Sequence, residues 1–140
     1  MLKGFGLEFH LHLNPRRYPP RRFGSRRTAI TGERLDALLD KVDPAVVDDA
    51  ERAHAFIEAF QPDGERILFV CEAAWSANLH DVERAEQRPR ALRQAGEPAR
   101  PLVVSHVTPA DLVVAAANSL GVVVVSEDGG VIGPGAPTAA

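Results

Sequence analysis

Two groups of residues in this sequence have the types and spacing for chemistry on a polyanion. The first lies between Pro15 and Arg27, PRRYPPRRFGSRR, which holds six arginines in three pairs and no acid (Arg16, Arg17, Arg21, Arg22, Arg26, Arg27). Guanidinium groups bind phosphates, and the interleaved Tyr18 and Phe23 offer ring faces to unstacked bases. Pro15, Pro19, Pro20 and Gly24 exclude a regular helix, and Pro-Pro favours an extended run. The same run also suits a solvated loop whose arginines pair with acids of its own chain. The second group is a set of carboxylates. Asp111 opens an apolar helix, and Asp128 stands just past the strand that follows it. Carboxylate oxygens are ligands for hard divalent cations. Each acid has a structural alternative. Thr108-x-x-Asp111 reads as a helix capping box, and Asp128 reads as a turn acid before Gly129-Gly130.

Other reactive residues offer less. His10 and His12 share one face of an alternating strand, suited to holding a metal or to facing water, and His54, His80 and His106 are isolated. Arg66 to Cys71 (RILFVC) is similar to the strand feeding the phosphate loop of low-molecular-weight tyrosine phosphatases. That loop needs an arginine six residues after the cysteine, where Ala77 stands, and Glu72 would repel the anion. Cys71 is therefore read as a small buried hydrophobe. Neither a nucleophile elbow nor a Walker or dinucleotide glycine loop is present.

The elements that must position these groups follow from pattern. The chain has 140 residues, 45% apolar and 25% charged, with a formal net charge of −3, which suits one domain with a core. Outside the arm, ten basic residues face nineteen acidic ones. The molecule is thus an acidic body with a cationic arm, and the overall −3 conceals both. One cysteine allows no internal disulfide, and no run approaches the ~18 apolar residues of a membrane span. The expectation is a soluble cytoplasmic protein. Phe9 to Leu13 alternates as a half-buried strand does. Leu35, Leu38, Leu39 and Val42 predict an amphipathic helix over 31–42, and Val46, Ala50, Ala53, Ile57 and Phe60 predict a second, ended by the turn Gln61-Pro62-Asp63-Gly64. Residues 66–71, 102–104 and 122–125 read as strands, 74–87 and 109–120 as helices, and 88–100 as a connection or short helix. This alternation predicts an α/β fold: a single domain over 1–128, with a mostly parallel sheet of about four strands, helices on both faces, and a flexible Gly/Pro/Ala tail over 129–140.

Thr108-Pro109-Ala110-Asp111 with its small-residue helix, Leu120-Gly121, the strand Val122–Val125 and Ser126-Glu127-Asp128 together resemble the C-terminal half of a PIN domain. The resemblance covers roughly residues 102–130. It implies a metal-dependent endoribonuclease using Mg²⁺ or Mn²⁺, such as the toxin of a toxin–antitoxin pair, with RNA, an antitoxin protein and a second copy of the chain as partners. Asp111 and Asp128 match the family's two late acids, and Ser126 matches the hydroxyl that orients them. Glu72 stands for the middle acid. At the first-strand aspartate the chain has no counterpart, with Glu8 or Asn14 as substitutes. That departure keeps a second expectation open: a catalytically degenerate module binding RNA or a protein through the arginine arm.

Overall fold

The computed structural model describes residues 18–19, 24–127 and 130–133. Six strands form one sheet in the order in which they occur in the chain. These are β1 (Ser25–Ala29), β2 (Ala55–Phe60), β3 (Arg66–Ser76), β4 (Ala99–Val107), β5 (Val123–Ser126) and β6 (Val131–Gly133). The helices are α1 (Gly32–Leu39), α2 (Val47–Glu51), α3 (Leu79–Gln87), α4 (Pro89–Gln94) and α5 (Asp111–Leu120). The fold is α/β, as expected, but the sheet is mixed. Only β3–β4 and β4–β5 are parallel; β1–β2, β2–β3 and β5–β6 are antiparallel.

Beyond β1, which the end of the arginine arm supplies, the extra antiparallel strands come from two places. The stripe ending in Ile57 and Phe60 does not continue as one helix. Its first part becomes α2, and AFIEAF becomes β2, with Phe56 and Ile57 buried on opposite faces. A short apolar run satisfies both periods, and pairing across the 61–64 turn with the apolar β3 decides for the strand. The second place is the tail, where residues 131–133 return antiparallel along β5. The predicted first strand at Phe9–Leu13 lies outside the described residues.

Register shows how the faces are used. Phe56, Leu68, Val70, Val103 and Val124 share one face through the pairings Phe56–Val70, Leu68–Ala99 and Val103–Val124. Leu38 and Leu39 of α1, Ala50 of α2 and Leu92 of α4 pack on it beside β2 and β3, and Val82, Ala85, Val113 and Ala117 of α3 and α5 beside β4 and β5. All five described helices therefore cover one face, not two. On the other face Ile57, Phe69, Leu102, Val104, Val123 and Val125 pack around Tyr18, which is completely buried. Each such side chain removed from water contributes about 1.5–3 kcal/mol. Gly24 is required where the chain enters β1, because a Cβ there would lie 2.5 Å from that of Ala59.

The helix ends are set locally. Asn78 caps α3 by accepting from Asp81 N at 2.9 Å, while the Asp81 carboxylate accepts from Asn78 N at 3.0 Å. Pro89 then starts α4 at its first position, where no N–H is needed. Gly121 ends α5 with φ at 73°, a left-handed turn that brings Val122 N to Ala117 O at 2.9 Å and leads into β5. No helix of the described residues is long and apolar enough to cross a membrane.

Candidate functional site

In a sheet with parallel strands, ligands favour the carboxyl ends of those strands. Here that edge is formed by Ser76, Val107 and Ser126. Asp111 starts α5 just after β4 and is exposed. The expected Thr108 capping box does not form. Ala110 occupies the cap position, and no side chain accepts from the helix amides, because the helix begins later than the threonine spacing requires. Ser126 ends β5, and its Oγ accepts from Gly130 N at 3.0 Å. Asp128 and Glu8 lie outside the described residues, as do Arg16, Arg17, Arg21, Arg22, His10 and His12. Beside Ser126 in register is Ser105, fully buried, whose Oγ accepts from Ala77 N at 3.0 Å and donates to Val107 O at 2.6 Å.

Glu72 sits elsewhere. It pairs in register with Val103, and Val103 with Val124, so it lies two residues below the Ser105–Ser126 row. At ~3.3 Å per residue and ~4.8 Å per strand, its backbone is about 12 Å from that of Ser126. It points to the helix face, where its carboxylate forms an ion pair with Arg88 at the α3–α4 junction. Each side chain is less than a tenth exposed. His54 Nδ1 is 3.7 Å from the same carboxylate and accepts from Ala73 N at 2.7 Å. Asp49 approaches Arg88 Nε to 4.0 Å. Burial lowers the Arg88 pKa from its usual value, Asp49 opposes that shift, and Arg52 adds to it. A cleft of about 70 Å³ opens here, lined by His54, Glu72, Asp81, Arg84 and Arg88 among others. Arg88 and His54 stand too far from Glu72 in sequence for any local pattern to join them. Among the described residues no three His, Cys, Asp or Glu side chains converge on a cation position.

Two further features mark the carboxyl edge and the arm. Trp75 stacks on His106 with ring centroids 4.0 Å apart, and His106 Nδ1 pairs with the Glu127 carboxylate. The arm's last two arginines are described: Arg26 lies 4.2 Å over the Phe60 ring, and Arg27 donates to the Pro19 carbonyl. Cys71 is completely buried, and burial pushes its thiol pKa up, so it is not a nucleophile.

At the amino end of β3 an alternating ladder of charges crosses the helix face. Arg34 is 3.2 Å from Glu58, Arg66 is 2.7 Å from both Glu58 and Glu97, and Lys41 is 2.6 Å from Glu97. The hydrogen bond from Arg66 holds Glu58 below the usual 4.5, with burial opposing and Arg34 adding. The hydrogen bond from Lys41, then that from Arg66, does the same for Glu97, again against burial. A carboxyl whose pKa is depressed on folding stabilises the protein above its unfolded value and loses that contribution as pH falls through the folded one. The urea midpoint is therefore expected to fall as pH drops below about 4.5, and to fall less in Glu58→Gln/Glu97→Gln. Equal acid sensitivity in the two proteins would show that the ladder does not carry this dependence.

The fold and its sites define an α/β protein with a mixed six-stranded sheet. Comparison with protein-family models, with curated proteins and with solved structures finds no match for this chain.

Proposed function

We propose that this chain is a non-cleaving α/β module that binds RNA through its arginine arm. The observation that carries this reading is the Glu72–Arg88 pair. Glu72, the acid on the central strand read as a cation ligand, is spent on a buried guanidinium, which repels a divalent ion. The arm's last described residues agree with binding. Arg26 makes no ion pair among the described residues and rests on the Phe60 ring. A cation held that way remains able to meet a phosphate.

The metal-dependent ribonuclease is the second reading, favoured by one observation. Asp111 and Ser126 both stand at the carboxyl ends of adjacent parallel strands, and Asp111 is not consumed as a cap. In that reading the chain is a PIN-like toxin using Mg²⁺ or Mn²⁺, restrained by an antitoxin protein.

One experiment separates them: labelled single-stranded and hairpin RNA incubated with Mg²⁺, Mn²⁺ or EDTA, for the parent protein and Asp111→Asn. The binding module shows salt-sensitive binding that persists in EDTA, with no metal-dependent cleavage. Cleavage that needs the metal and disappears in Asp111→Asn would establish the ribonuclease instead.

A further inference from the structure

The charge ladder at the amino end of β3 borders a cleft of about 190 Å³, lined by Ile30, Arg34, Ala37, Leu38, Lys41, Arg66 and Glu97. Its charges are layered. The two carboxylates are the more buried, with Glu97 7% and Glu58 16% exposed, while Arg34, Lys41 and Arg66 are 55%, 56% and 37% exposed. Glu97 is part of the lining, and the three cations around it are the more exposed groups. Each cation spends only one or two of its N–H groups on the glutamates. A guanidinium has five donors and an ammonium three, so each cation keeps donors that the glutamates do not use. The glutamates hold these flexible side chains in place, which reduces the entropy lost when an anion is bound. Arg66 stands in register with Phe60, the ring under Arg26, and Phe60 in register with Ser25. The last residues of the arm, in β1, thus lie beside this cleft, at the end of β3 opposite to Asp111 and Ser126.

We propose that Arg34, Lys41 and Arg66 form a phosphate-binding cleft, continuing onto the folded body the track that the arginine arm begins. That the phosphates come from an RNA backbone rests on the function proposed above; phosphate recognition itself does not. Forked guanidinium donors match the oxygens of a phosphate, and Lys41 adds a compact charge beside them.

The test uses the full chain. Anisotropy of a labelled single-stranded RNA is measured against salt concentration for the parent and for Arg34→Ala/Lys41→Ala, whose side chains are more than half exposed. Thermal melts check that both proteins fold. Pyrophosphate is titrated in parallel with the melting temperature as readout. Removing two phosphate contacts is expected to flatten the log–log salt slope by about 1.4, at ~0.7 per contact for single strands, and to weaken RNA binding on the order of tenfold. Pyrophosphate should raise the melting temperature of the parent and not of the variant. RNA binding with an unchanged slope in the variant would overturn the cleft and leave the RNA reading standing. Pyrophosphate protection confined to the parent, with no RNA bound by it, would support the cleft for a small phosphate compound and overturn the RNA reading. Binding of neither probe would overturn both.

Discussion

Arg88→Ala is expected to destabilise the protein by about 3–5 kcal/mol, the usual consequence of removing one partner of a buried ion pair. Glu72 and Arg88 are each less than a tenth exposed, so the carboxylate left behind cannot recover its hydration. His54 does not replace the arginine. Its Nδ1 is 3.7 Å away and already accepts from Ala73 N, so in this arrangement that nitrogen carries no proton to donate. The effect belongs to the orphaned charge more than to the pair. Glu72→Leu/Arg88→Met, which removes both charges and keeps apolar volume, should regain most of the loss. Urea unfolding of the three proteins measures this directly. A loss below about 1 kcal/mol in Arg88→Ala would mean that Glu72 reaches water without its partner, where it could also meet a cation.

Tyr18→Ala should cost a similar amount, about 3–5 kcal/mol, for a different reason. Tyr18 is fully buried against Ile57, Phe69, Leu102 and Val104, on the face of the sheet that no described helix covers. Its truncation leaves a cavity there. Its hydroxyl also donates to the Glu127 carbonyl, which links the arm to the carboxyl edge of β5. Tyr18→Phe isolates that bond and should cost only about 1 kcal/mol. Unfolding at unchanged urea in Tyr18→Ala would show that the ring adds little to this face. The two substitutions bear on function because Tyr18 lies within the arginine arm. A residue read for its stacking surface is instead a core anchor.

How much was legible in the sequence differs between elements. The apolar spacing of Leu35, Leu38 and Leu39 marks α1, and the apolar run from Arg66 marks β3, although the strand extends to Ser76. LVVAAANSL followed by glycine marks α5, since a positive φ after a helix is a local property. Ile57 and Phe60 misled because their spacing fits a helix stripe equally well, and the choice lay with the partner strand across the turn. Thr108 misled for the opposite reason. The spacing to Asp111 was right for a cap, but the cap falls at Ala110 and the helix starts at Asp111.

By itself, the sequence determined the α/β class, the separation of charge into a cationic arm and an acidic body, and the placement of Asp111 and Ser126 at element boundaries. These follow from composition and from short-range periodicity, which do not depend on distant contacts. Tertiary structure alone decided which face the helices cover, that Glu72 is closed by Arg88, and that Arg34, Lys41 and Arg66 meet around one cleft. Those outcomes depend on strand register and on helix packing between residues far apart in the chain. Charges in a sequence have sign but no neighbours, and whether a carboxylate holds a cation or an arginine is settled only when the fold brings one of them within reach.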